Sequence, residues 1–266
     1  MDRMVNQNIF DEITQDFKYW EDAADELGDK KGNGMVTYNL AGSLLPLWKF
    51  VCEKDKKKAV TCLDWNPLKT DLFAVGYGSY DFSKQCPGIV GVFTLKNPSN
   101  PEFTYVTDVG VMCLHFHPQH PSYLAVGLYD GSVLVYNLQN KNDAPIYRSA
   151  TRESKHTDPV WQVVWQKDDL DDNLNFFSIS SDGRVTQWIL LKNELVHSDA
   201  ISLPYESEMD GTANDKLFRL AGGCCLDFHK TVDHLFLVGT EEGQIHKCSK
   251  DYNNQYLLSF EVIVCY

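Results

Sequence analysis

The sequence predicts an all-β fold: a partial β-propeller of about four blades in an open arc, preceded by an N-terminal amphipathic helix. Three observations carry that prediction. A phrase made of two apolar strands, a tight turn and a third strand recurs near 60–95, 111–138, 160–190 and 223–250. Its starts at Val60, Val111 and Val160 lie 51 and 49 residues apart, a period that marks propeller blades. The turns are also in phase. Asp130-Gly131 begins six residues before Tyr136, Asp182-Gly183 six before Trp188 and Glu242-Gly243 six before Cys248, while Pro87-Gly88 stands six before Phe93 after an insertion at Tyr80–Cys86. A glycine after an acidic residue supplies the positive φ of a tight hairpin, and a constant interval delivers equivalent side chains to one layer of each blade.

Residues 1–43 read as an acidic helix and linker, and 44–266 as the propeller. Phe10, Ile13, Phe17, Trp20, Ala24 and Leu27 are spaced 3, 4, 3, 4 and 3, one stripe of a helix whose other faces carry Asp11, Glu12, Asp16, Glu21, Asp22, Asp25 and Glu26. Asn8 suits the N-cap and Gly28 the stop. A helix of about twenty residues is marginal alone, so the stripe packs either on the propeller's flank or on a partner's helix; Phe10, Phe17 and Trp20 are its binding candidates. Asp29–Ser43 is a linker. Leu47–Val51 precedes the first repeat and is assigned as the outer strand of a preceding blade. The last strand, around Leu257–Val264, is an apolar edge, an aggregation hazard unless covered.

A net charge of −13 argues against nucleic acid, which selects a basic face, and against direct docking to any polyanionic surface. The cluster Lys54, Lys56, Lys57 and Lys58 reads as a solvated loop. No apolar run approaches the ~18 residues of a membrane span. The eight cysteines form no CxxC pair and read as free thiols in a reducing compartment, the cytoplasm. His115, His117 and His120 lack the cysteines or carboxylates of a four-ligand metal site. The acid run Asp168, Asp169, Asp171 and Asp172 lacks calcium-loop spacing. Cys224-Cys225 has no placed base, and the scattered glycines lack the lysine of a phosphate loop. No catalytic, cofactor or metal residue is assigned, and the chain is not read as an enzyme.

The third repeat is similar to the WD-repeat family. It has His156 before its first strand, Ser178 and Ser180 on the second, Asp182 in the turn and Trp188 on the third. The resemblance implies a buried hydrogen-bonded chain through these residues. In the other repeats Tyr136-Asn137, Phe93-Thr94 and Lys247-Cys248 stand where Trp-Asp would be.

A closer likeness runs through VNQNIFDEITQDFKYWEDAADE, LLPLWKF, DLFAVGYGSYDF, KHTDPVWQVVWQKDD, NLNFFSISSDGRV, KNELVH and FLVGTEEGQIHKCSK. These runs resemble the axonemal outer-arm dynein intermediate chains of type 1. That resemblance implies a non-catalytic scaffold subunit, in the cytoskeleton of the cilium or flagellum axoneme, that grips a dynein heavy-chain tail beside a second axonemal intermediate chain. Light-chain binding is not carried over, because almost nothing of the family's long N-terminal region precedes Met4. Family propellers have about seven blades, so the resemblance implies a shortened form. Heavy-chain contact is expected at the end where the turns gather, with Tyr80, Tyr129, Trp161 and Arg184 as candidate anchors. The other reading is a WD-repeat interaction adaptor outside cilia, for example in cytoplasmic dynein cargo attachment.

Overall fold

The computed structural model describes residues 49–52, 58–79, 81, 83–140, 142–149, 154–167, 173–192, 194–205, 219–252 and 256–261. The helix expected at Phe10–Leu27, with Phe10, Phe17 and Trp20, lies outside the described residues, as do Tyr80 and the run Asp168–Asp172.

Each repeat makes one antiparallel sheet. Blade 1 is β1 (Ala59–Trp65), β2 (Leu72–Gly78), β3 (Gly88–Thr94) and β4 (Phe103–Thr107). Blade 2 is β5 (Val111–Phe116), β6 (Tyr123–Leu128), β7 (Val133–Asn137) and β8 (Tyr147–Arg148). Blade 3 is β9 (Val160–Trp165), β10 (Asn175–Ser180), β11 (Arg184–Leu190) and β12 (Leu195–Ser202). A short ladder, β13 (Pro204–Tyr205) with β14 (Arg219–Leu220), leads to blade 4, which is β15 (Gly223–Phe228), β16 (Leu235–Thr240), β17 (Gln244–Ser249) and β18 (Leu258–Glu261). Strands pair in chain order within every blade, and the inner strands β1, β5, β9 and β15 lie successively side by side along an open arc.

The in-phase turns place their targets in one register. Phe93, Tyr136, Trp188 and Cys248 pair with Phe73, Leu124, Phe176 and Phe236, and all four are buried. Gly131, Gly183 and Gly243 have φ of 81°, 77° and 81°, the left-handed region that an L side chain enters at a cost of about 1–2 kcal/mol.

Two expectations change in blade 1. Gly88 is not a turn residue: it opens β3 opposite Thr107, because the insertion before it has replaced the tight hairpin. Of the expected strand Leu47–Val51, residues 49–51 make no ladder. Phe50 instead sets its ring edge-on against Phe73, 4.8 Å between centroids, and lies 5.8 Å from Phe93. Of the last strand expected at Leu257–Val264, β18 covers Leu258–Glu261, and residues 262–264 lie outside the described residues.

The core is divided among the seams between blades. Ala74, Val90, Val92 and Tyr105 of blade 1 meet Leu124, Val126, Leu128 and Tyr136 of blade 2, with Tyr105 stacked on Tyr136 at 4.4 Å. Ala125, Val133 and Val135 meet Val163, Trp165, Phe176 and Trp188 of blade 3. Phe177, Ile179, Val185 and Ile201 meet Leu226, Phe236, Val238 and Cys248 of blade 4. A blade therefore has a front face, covered by its successor, and a back face packed on its predecessor, as expected of a repeat that cannot bury itself alone.

Candidate functional site

The turn end of the arc holds the polar chain. The Trp188 indole N–H donates to Ser178 Oγ at 2.7 Å, Ser178 Oγ lies 2.7 Å from His156 Nε2, and His156 Nδ1 lies 3.0 Å from Asp182 Oδ2. The indole nitrogen can only donate. Ser178 therefore accepts from it and donates its own O–H to His156 Nε2, which leaves Nδ1–H to donate to the carboxylate. Ser180 braces the same turn, donating to Asp158 O at 2.9 Å and accepting from the Asp182 N–H at 3.3 Å.

Asp182 is also held by Arg184, whose Nε and Nη2 lie 3.1 and 3.0 Å from Oδ2, and by the Thr157 N–H at 3.2 Å. Burial alone would raise the Asp182 carboxyl; the His156 hydrogen bond and the Arg184 charge outweigh it and hold the group at about 2. Its ionised form therefore stabilises the fold. That contribution is complete above the unfolded value of about 4 and is lost as pH falls towards about 2. We expect Asp182→Asn to flatten the stability-against-pH curve between about pH 4 and 2, as read by urea midpoints across that range.

Sequence reasoning proposed Tyr129, Trp161 and Arg184 as anchors, and all three stand at this end, half-buried. Arg184 is engaged: besides Asp182, its Nη2 donates to Lys155 O at 3.1 Å. Lys155 Nζ reaches back to Asp130 of blade 2 at 2.6 Å. Trp161 Nε1 donates to Ser181 Oγ at 2.5 Å, and Ser181 to Glu241 of blade 4 at 2.7 Å. Tyr129 donates its backbone N–H to Gly110 O at 3.0 Å. The result is a polar belt that ties blades 2, 3 and 4 together.

The sequence did not disclose a second set of polar locks, on the inner strands. Asp64 Oδ2 accepts the Phe116 N–H of the next blade at 2.7 Å, His115 Nδ1 accepts the Trp165 N–H at 3.2 Å and Gln162 Oε1 accepts the Leu226 N–H at 2.8 Å. Burial raises the Asp64 carboxyl and lowers the His115 imidazole. At the opposite end, Asn66 Nδ2 donates to Pro121 O at 2.8 Å and Gln166 Nε2 to Asp233 O at 3.1 Å. His117 Nδ1 caps its own turn, accepting from the Gln119 and His120 N–H groups at 3.1 and 2.9 Å. His229 does the same for Thr231 and Val232. His115 and His117 thus each commit Nδ1 to a backbone N–H, and no cluster of three or more potential metal ligands occurs among the described residues.

Seven free cysteines lie among the described residues. Burial pushes Cys62 and Cys248 to about 12 and Cys113 well above the usual thiol value, so these sulfurs stay protonated and weakly nucleophilic.

No family model matches the chain. In sequence it is 55% identical to dynein intermediate chain 2, ciliary, of Heliocidaris crassispina over 262 residues, 98% of this chain and 36% of that protein. It is 52% identical over 262 residues to dynein axonemal intermediate chain 1 of Bos taurus, again 98% of this chain and 36% of that one. To the dynein 78 kDa intermediate chain, flagellar outer arm, of Chlamydomonas reinhardtii it is 50% identical over 268 residues, 98% of this chain and 37% of that protein. The chain thus spans little more than a third of the curated relatives it matches. Among solved structures, the β-propeller domain of Myceliophteria thermophila Cps50 (Swd1) aligns with TM-score 0.55 at 14% identity, covering 76% of this chain and 55% of that one. At that identity the likeness concerns the propeller fold alone.

Proposed function

We propose that this chain, a homologue of the axonemal dynein intermediate chains over 98% of its own length, is a non-catalytic scaffold of the axonemal outer dynein arm. It holds the tail of a dynein heavy chain beside a second axonemal intermediate chain, in the cytoskeleton of motile cilia and flagella. The observation that carries this reading is 50–55% identity spread over the whole chain rather than confined to the repeat signatures.

The physical design suits the role. Blades locked to one another at both ends of their inner strands make a stiff arc, and binding on a stiff scaffold costs little ordering entropy. With a net charge of −13, the chain is repelled by other polyanions, so it reaches the acidic microtubule surface through protein partners. Tyr129 and Trp161 are the described aromatic candidates for the heavy-chain contact, with Arg184 positioning the turn between them. Light-chain binding is not assigned to it.

Affinity recovery of the tagged chain from multiciliated cells tests the reading. A dynein heavy chain and a second intermediate chain should co-purify in near-equal amounts. Recovery of only non-axonemal partners would favour an adaptor outside cilia and overturn it.

A further inference from the structure

The three inner-strand locks differ in how they respond to a proton. Each offers the next blade's backbone N–H a side-chain acceptor: Asp64 Oδ2 for Phe116 at 2.7 Å, His115 Nδ1 for Trp165 at 3.2 Å and Gln162 Oε1 for Leu226 at 2.8 Å. An amide oxygen accepts at any pH, and a carboxyl group can take its proton on Oδ1 and still accept at Oδ2. An imidazole nitrogen cannot do both. Nδ1 of His115 accepts only while it carries no proton, so the neutral ring is the Nε2–H tautomer. A second proton turns Nδ1 into a donor that faces the Trp165 N–H.

The seam between blades 2 and 3 depends on that bond. Trp165 is buried there with Cys113, Val133 and Val135 of blade 2, its ring tilted against Phe176 at 4.9 Å and against His117 at 4.7 Å. Its indole N–H donates to His115 O at 2.8 Å, so His115 fixes Trp165 by its backbone and by its ring. Beside them the Cys113 thiol reaches Val160 O at 3.3 Å. His117 and His229 also accept at Nδ1, but from N–H groups of their own turns. A proton there loosens a turn rather than a seam.

The groups around His115 set the sense of the response. β6 places Ala125 opposite it and Tyr123 on the same face, while β9 and β3 carry no titratable side chain. β1 contributes Asp64 and Cys62, the segment of His115 itself contributes Cys113 and His117, and Tyr77 of β2 packs on the far face of blade 1. Burial lowers the imidazole from its ordinary value and outweighs the Asp64 carboxylate, which pulls the other way. The folded value therefore lies below the unfolded one of about 6.5. The neutral lock stabilises the seam in full above about pH 6.5, and that contribution is lost as pH falls towards the folded value.

We propose that His115 is an acid-sensitive latch: a solvent proton taken up at Nδ1 releases the Trp165 N–H and loosens the seam between blades 2 and 3, while the locks made by Asp64 and Gln162 hold. Among the described blades the arc then softens at its middle, with blades 1 and 2 still joined and blades 3 and 4 still joined. This inference does not rest on the proposed function.

Hydrogen exchange of the whole chain tests it, resolved to single amides, corrected for its intrinsic pH dependence and compared at about pH 7.5 and about pH 5.5, either side of the ordinary imidazole value. Protection of the Trp165 amide should fall by up to about tenfold at the lower pH, the limit for protonating an opened imidazole one unit below that value. The Phe116 amide, held by Asp64, should keep its protection. His115→Asn sets an amide oxygen in the place of Nδ1 and cannot titrate, so Trp165 protection in this variant should match at the two pH values. If that variant loses its β-sheet circular-dichroism spectrum, His115→Gln takes its place; if both do, the comparison of Trp165 with Phe116 in the wild-type chain decides alone. Equal protection of Trp165 at both pH values would overturn the proposal. So would an equal loss at Phe116, or a loss at Trp165 that persists in the variant.

Discussion

Trp188→Ala should cost about 3–5 kcal/mol, the range for truncating a large buried aromatic, and so consume much of the ~5–15 kcal/mol that holds a typical domain folded. Trp188 is fully buried, stacked 6.1 Å from Phe176 and tilted against His197 at 5.8 Å. Its loss opens a cavity in the seam between blades 2 and 3 and removes the only donor the described residues offer to Ser178 from the indole side. Because a repeat array is held by nearest-neighbour seams, blade 4 should loosen with blade 3. Trp188→Phe keeps most of the volume and forfeits the hydrogen bond, about 1–2 kcal/mol. Denaturant titration of both variants separates packing from polarity, and equal losses would mean that the hydrogen bond dominates.

The second large effect is a ranking. Asp182→Ala should destabilise by about 3–5 kcal/mol, since removing one partner of a buried pair strands the others. Asp130→Ala, in the equivalent turn of blade 2, should cost about 1 kcal/mol or less. The Asp182 side chain is 5% exposed and shared by His156, Arg184 and the Thr157 N–H, whereas Asp130 is 27% exposed and answers to Lys155 and Ser132. Equal midpoint shifts for the two variants would contradict this ranking.

The sequence disclosed most clearly what rests on backbone restriction. Three of the four turns combine an acidic residue with a glycine at positive φ, and their constant interval set the register of every third strand. Pro87-Gly88 kept the interval without the turn, because an insertion had already taken over the connection; spacing alone does not report φ. The polar chain of blade 3 was legible only through the resemblance to the WD-repeat family, which implies such a chain through His156, Ser178, Asp182 and Trp188. The inner-strand locks were not. Asp64, His115 and Gln162 do one job with three chemistries, since any side-chain acceptor of suitable reach can take the next strand's N–H, so no residue type repeats. The caps at His117, His229 and Asn66, whose Oδ1 accepts the Leu68 and Lys69 N–H groups, were hidden for the same reason. His115 and His117 were set aside as metal ligands; the role of His115 emerges only with the neighbouring strand present, and that of His117 only with its own turn formed.

The measurement closest to the central claim is the location of the tagged chain in detergent-extracted axonemes, compared between cells with outer dynein arms and cells lacking them. The scaffold reading predicts retention on the first and loss from the second, with the Asp182→Ala chain retained less than wild type. Equal retention on axonemes without outer arms, or complete release into the detergent-soluble fraction in both, would contradict it.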